Sequence, residues 1–114
     1  ESGSLSRFVQ YHAEVRTLFR VRPGSFQPPP EVDSVVVRLL PHRVPPVEAP
    51  PDLLFRLIRT AFRGRRKTLR RSLAGALSDP VAVLEDAGID PTRRPETLVL
   101  EEFAALARAA GAAR

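Results

Sequence analysis

The chain has 114 residues and a formal charge of +5, from 18 Lys and Arg against 13 Asp and Glu, with no Cys, Met or Trp. That length holds one domain or a piece of one, and no apolar run approaches the roughly 18 residues of a membrane-crossing helix. The lack of cysteine excludes disulfides, thiol catalysis and thiolate metal sites, and makes a reducing, cytoplasmic compartment the expectation.

Leu5, Phe8, Val9, His12 and Val15 recur at helical spacing and predict a helix from Leu5 to Arg16, with Ser4 or Ser6 placed to cap it. Thr17 to Val21 is short and β-prone and meets a Pro23-Gly24 turn signal. Pro28, Pro29 and Pro30 fix φ and favour an extended path. Ser34 to Leu40, SVVVRLL, is too apolar for an exposed face and predicts a buried or half-buried strand, paired antiparallel with the first. Pro41, Pro45, Pro46, Pro50 and Pro51 then mark a linker.

Beyond the linker the period turns helical. Asp52 predicts an N-cap, Leu54, Leu57, Ile58, Ala61 and Phe62 an apolar stripe, and Gly64 a left-handed stop. A second helix is predicted over 66–77 on Leu69, Leu73 and Leu77. Asp79-Pro80 opens a short helix over 81–87, stopped by Gly88. The last helix is predicted over 100–110, with Glu101 and Glu102 in its first turn and Gly111 at its end.

The charge is concentrated. Residues 1–50 carry a net +1, residues 51–76 carry +7, and residues 77–114 carry −3. Arg56, Arg59, Arg63, Arg66 and Arg70 step by 3, 4, 3 and 4, which leaves the apolar stripe free, and Arg65, Arg66 and Lys67 crowd the junction between two helices. Arginine suits bidentate phosphate contact and stacking, and a helix N-terminus near Arg66 would add donors. The block points to a polyanion, above all nucleic acid. The competing reading is a solvated face whose arginines reach the acidic residues of 79–102 inside the fold.

Other chemistry is thinly represented. The glycines lie at least 11 residues apart, so no glycine-rich loop can cradle a phosphate or a cofactor. His12 and His42 lack metal-ligating companions. Asp33, Ser34 and His42 supply the residue types of a hydrolase triad, but no G-x-S-x-G turn surrounds Ser34, and Asp33-Ser34 reads as a turn. Glu85-Asp86 and Glu101-Glu102 splay round their helices as solvated pairs.

Four segments, in order, resemble the rRNA adenine dimethyltransferases. SLSRFVQY, residues 4–11, resembles the family's L-S-x-x-x-Q-Y helix. GSFQPPPEVDSVVVRL, residues 24–39, resembles F-x-P-P-P-x-V-D-S-x-V-V-R-L. AFRGRRKTLRRSL, residues 61–73, resembles A-F-x-x-R-R-K-T-L-x-N-x-L, and RRPETLVLEEFAALA, residues 93–107, resembles R-x-E-T-L-x-x-E-E-F. Glu31 stands where the family usually has Lys, Arg71 where it has Asn, and Arg22-Pro23 where V-P-P is common. Glu31 weakens a phosphate role for its loop, and Arg71 strengthens the basic patch.

The resemblance implies the C-terminal portion of such an enzyme, an α+β fragment. Residues 1–42 would carry the last strands of a doubly wound methyltransferase sheet. Residues 43–51 would be a proline-rich linker, and residues 52–114 a small all-helical rRNA-binding C-terminal domain. The implied activity is dimethylation of adjacent adenines near the 3′ end of small-subunit rRNA, with S-adenosylmethionine as cofactor of the full-length enzyme. The implied partners are small-subunit rRNA and the ribosomal subunit precursor, with no membrane, no metal and a monomeric full-length form. Phe26 matches an aromatic that stacks on the flipped adenine, although from the residues alone it reads better as a core plug. Docking of rRNA falls to Arg63, Arg65, Arg66, Lys67, Arg70 and Arg71. The family's G-x-G-x-G loop and N-L-P-Y motif are not in the sequence, so the 114-residue chain alone is expected neither to bind the cofactor nor to methylate. Two other readings stand beside this one: a stand-alone, non-enzymatic RNA- or ribosome-binding module, and a helical DNA-binding protein. The last leaves the strand–proline–strand half unexplained.

Overall fold

The computed structural model describes residues 2–21, 34–64 and 66–112. Helix α1 (Ser2–His12) runs directly into strand β1 (Ala13–Val21), which pairs antiparallel with β2 (Ser34–Pro41). Four helices follow: α2 (Pro51–Arg63), α3 (Leu69–Ser72), α4 (Pro80–Asp86) and α5 (Leu100–Ala112). Short 3-10 turns cover Leu73–Gly75 and Pro95–Thr97.

The helices build the core. Leu54, Leu57, Leu69, Leu73, Leu84, Leu98, Phe103 and Leu106 are fully buried in one cluster. Burying each such side chain is worth about 1.5–3 kcal/mol before chain entropy is counted. Helix α1 joins that cluster through Tyr11 and packs on α2 and α5.

This corrects the expected fold class. The described strands form a two-stranded antiparallel sheet, and no doubly wound sheet is present among the described residues. The helices after β2 do not form a separate all-helical C-terminal domain, because α1, which precedes the strands, shares their core. The architecture is two strands plus helices around a single buried cluster.

The hairpin differs from expectation in a second way. Val36, Val37 and Leu39 of β2 are exposed, as are Val15, Leu18 and Phe19 of β1, so the strand expected to be buried stands open. Its register runs from Ala13 opposite Pro41 to Val21 opposite Ser34, with an irregularity between Thr17 and Phe19. Because Ala13 already takes a ladder position, and His42 N–H donates to the His12 carbonyl at 2.8 Å, α1 ends at His12 rather than at Arg16. Ser4 and Ser6 lie inside α1 rather than at its cap position.

Helix α2 starts one residue before Asp52, with Pro50 in the cap position, so Asp52 favours the dipole from the first turn instead of capping. Gly64 ends α2 at φ −104°, not in the left-handed region. Its need for glycine is spatial: a Cβ there would lie 3.0 Å from Ser72 Cβ. Helix α3 is shorter than the predicted 66–77 span, because the N–H groups of Leu69 and Arg70 donate to the Arg93 and Pro91 carbonyls at 2.8 and 3.1 Å. That fixes its start at Leu69. Asp79 caps α4 as its type suggests, accepting from Ala82 N–H at 3.2 Å, and Gly88 follows at φ 75°. Gly111 lies inside α5, not at its end.

Candidate nucleic-acid interface

The basic residues lie on two consecutive segments. Arg56, Arg59 and Arg63 stand on the exposed side of α2, opposite the buried Leu54, Leu57, Ile58, Ala61 and Phe62. The turn after α2 presents Arg66 and Lys67, and α3 adds exposed Arg70 and Arg71. The ridge is thus broken at Gly64, but the break is tight. Lys67 N–H donates to the Gly64 carbonyl at 2.7 Å, and Ser72 closes against Gly64. Leu69 and Leu73 anchor the second segment in the core. Two of the expected site residues, Phe26 and Arg65, lie outside the described residues.

These cations keep their charge unspent. Among the described residues the ion pairs are Arg16 with Glu14 and Arg93 with Glu102, and none involves Arg63, Arg66, Lys67, Arg70 or Arg71. Among the described residues, the acidic residues of the second half form no ion pair with the block. One expected contribution is absent, however. The first-turn N–H groups of Leu69 and Arg70 are taken up by Arg93 and Pro91 carbonyls, so the start of α3 offers neither of them to a phosphate.

Between α1 and α2 the surface is concave. A cavity of about 390 Å³ is lined by Ser4, Leu5, Phe8, Phe55, Ile58 and Arg59. A second, of about 310 Å³, is lined by Ser4, Arg59, Phe62 and Arg63. The ring centroids of Phe8 and Phe55 lie 5.2 Å apart, and those of Tyr11 and Phe55 5.0 Å apart.

Two arginines that no sequence period marks tie neighbouring segments together. Arg7 of α1 donates from Nε and Nη2 to the Leu98 carbonyl at 3.2 and 2.7 Å, and its guanidinium sits 5.6 Å from the Phe62 ring centroid. Arg93 forms a two-pronged pair with Glu102 and also meets Thr97. The hydrogen bond to Arg93 holds the Glu102 carboxyl below its ordinary value, with burial opposing. Hydrogen bonds from the Thr92 N–H and hydroxyl lower Asp90 in the same way. These partners lie across loops, out of reach of any helical or strand repeat.

No group of three or more His, Cys, Asp or Glu that could hold a metal is present among the described residues. His12 packs instead against Phe8, Tyr11 and Phe55. No described helix is long and apolar enough to cross a membrane.

Comparison with known proteins places the chain. Residues 1–110 match the family model described as ribosomal RNA adenine dimethylase. The ribosomal RNA small subunit methyltransferase A of Pseudomonas putida is 52% identical over 106 residues, covering 92% of this chain and 39% of that protein. The protein of the same name from Pseudomonas aeruginosa is 54% identical over the same shares. The chain therefore spans about two fifths of the length of these relatives. That is a share of length and not a position, so the expected C-terminal placement is not carried forward. Among solved structures, a 23S rRNA methyltransferase, ErmE, superposes with a TM-score of 0.70 at 21% identity, covering 95% of this chain and 46% of the other, which shows a shared fold. A dimethyladenosine transferase from Plasmodium falciparum gives 0.65 at 25% identity, covering 90% and 46%.

Proposed function

The chain belongs to the ribosomal RNA adenine dimethylase family, and from that premise we propose that it is part of an enzyme that dimethylates adjacent adenines of small-subunit rRNA in the cytoplasm, contributing an rRNA-docking surface. The observation that carries this reading is the unpaired basic cluster of Arg63, Arg66, Lys67, Arg70 and Arg71, set rigidly on buried leucines. Arg65, between Arg63 and Arg66 in the sequence, belongs to the proposed docking set by sequence alone. Guanidinium forks match phosphate oxygens in pairs, and among the described residues no acidic partner has to be displaced, so the cluster suits the backbone of a folded RNA. The stand-alone RNA-binding reading draws on the same cluster and differs only in what surrounds the chain.

The whole enzyme's cofactor would be S-adenosylmethionine. The residues of this chain do not fit it: the glycines stay at least 11 positions apart, and none forms a phosphate- or sulfonium-facing loop by spacing. No chemical step is therefore assigned to this chain, whose own residues bind and orient RNA. Phe26 is our candidate for stacking on the flipped adenine, on the strength of the F-x-P-P-P motif alone.

The test is a salt titration of the 114-residue chain against a small-subunit rRNA fragment and a duplex DNA of equal length. The expected result is tighter binding to rRNA, with affinity falling as salt rises. Joint substitution of Arg66, Lys67 and Arg70 by Gln should weaken binding and lower the log–log salt slope by about 3, near one for each phosphate that is no longer neutralised. Equal affinity for the duplex DNA, or a slope unmoved by the triple substitution, would overturn the reading.

A further inference from the structure

The two cavities between α1 and α2 share Ser4 and Arg59, so they adjoin. Their apolar wall includes side chains that the helical spacing of α1 marked for burial. Leu5 is 63% exposed and Phe8 47%, beside half-buried Phe55. The other wall is cationic. Arg59 and Arg63 are one helical turn apart, about 5–6 Å between Cβ atoms, and neither has an acidic partner among the described residues.

We propose that this cleft receives one unstacked base of single-stranded RNA, with Phe8 as the stacking platform and Arg59 and Arg63 on the adjoining phosphates. The inference rests on the rRNA-docking reading above and names a base-binding subsite within it. A nucleotide satisfies both walls at once, because it has a planar apolar face and an anionic link on either side. Aromatic side chains beside a basic track are the usual platform for single-stranded nucleic acid. A peptide is a poorer fit. It would bring backbone N–H and C=O groups into a cleft whose one uncharged polar side chain is Ser4, and it has no phosphate to match two arginines. The family motif assigns the target adenine to Phe26, so the role proposed for this cleft is a different one. The base held here is a neighbour used for docking.

The test uses a short single-stranded RNA carrying one 2-aminopurine, titrated with the 114-residue chain. Stacking on Phe8 should quench its fluorescence at saturation. Phe8→Leu should remove most of the quench and weaken binding by about tenfold, within the range of base–aromatic stacking, whereas Phe8→Tyr should retain both. Circular dichroism of each variant confirms that the helices are kept. Arg66→Gln with Lys67→Gln should weaken binding and lower its salt slope, yet leave the quench at saturation intact. If Phe8→Leu quenches and binds like the parent while salt-dependent binding persists, the cleft inference fails and the docking reading survives. If the parent chain does not bind RNA at all, the docking reading fails and takes this inference with it. If Phe8→Leu instead changes the sedimentation of the chain without RNA and leaves the quench unmoved, the cleft seats protein and the inference is overturned.

Discussion

Arg93 serves three partners at once. Its guanidinium meets Glu102 at 2.5 and 3.1 Å and the Thr97 hydroxyl at 3.2 Å, while its backbone carbonyl accepts from Leu69 N–H. Glu102 in turn accepts from Val99 N–H at 3.0 Å, closing the start of α5 from the third residue of the helix. Both side chains are about one third exposed, so solvent screens the pair and its net worth is no more than about 1 kcal/mol. The sign of its pH dependence follows from the direction of the shift. The hydrogen bond to Arg93 depresses the folded carboxyl below its unfolded value, so the stability it contributes is present above the unfolded pKa and is lost as pH falls through the depressed one. Glu102→Gln keeps an oxygen for Val99 N–H but removes the charge. We expect a small loss of stability at neutral pH and a flatter acid limb, read from urea midpoints over descending pH. An acid limb as steep as the parent's would show that Glu102 does not contribute to it.

At the scale of elements, the junction of α2 and α3 is where sequence and structure part most instructively. Gly64→Ala gains by restricting the unfolded chain, by about 0.4–1 kcal/mol. Against that, the new Cβ meets Ser72 Cβ at 3.0 Å and Ser72 Cα at 3.4 Å. Ser72 is buried, and α3 is tied at its start to the Arg93 and Pro91 carbonyls, so it has little room to retreat. Overpacking costs about 1–3 kcal/mol and wins. Gly64→Ala should lower the melting temperature; a rise would mean that α3 yields. The same packing explains what is legible in the sequence. The core stripe of α2 and the Asp79 cap of α4 are plain, since spacing and residue type decide them locally. The start of α3 is not, because carbonyls more than 20 residues away set it. The end of α1 is not, because Pro41 pairs with Ala13. The fold class escapes a local reading because Tyr11, placed before the strands, packs with the helices after them. The basic cluster shows in its spacing, whereas the cleft does not, since it joins residues of α1 and α2 some 50 positions apart and uses two side chains that the period of α1 marks for burial.

The whole molecule is elongated, with principal extents of 55 × 33 × 19 Å and a radius of gyration of 16.9 Å, against about 13 Å for a compact chain of this size. The excess comes with a hairpin that exposes Leu18, Phe19, Val37 and Leu39, each 45–56% accessible, while the helical cluster keeps Leu54, Leu57, Phe103 and Leu106 wholly inside. A two-stranded hairpin without a covering layer is marginally stable in water, and its open edges and apolar side chains invite pairing with other chains. Stability should therefore be sharply uneven. In hydrogen exchange on the 114-residue chain at low concentration, the amides of α2 and α5 should exchange slowest, near the global unfolding limit. The ladder amides of β1 and β2 should exchange faster by orders of magnitude, because they open without disturbing the helical core. At higher concentration the hairpin alone should gain protection, as copies cover one another's exposed strands. Leu39→Lys should cancel that gain by placing a charge on the sticky face, and it should leave the helices unchanged. Equal protection of hairpin and helices at every concentration would mean that the strands share the cooperative unit of the core, and the partition argued from burial would be wrong.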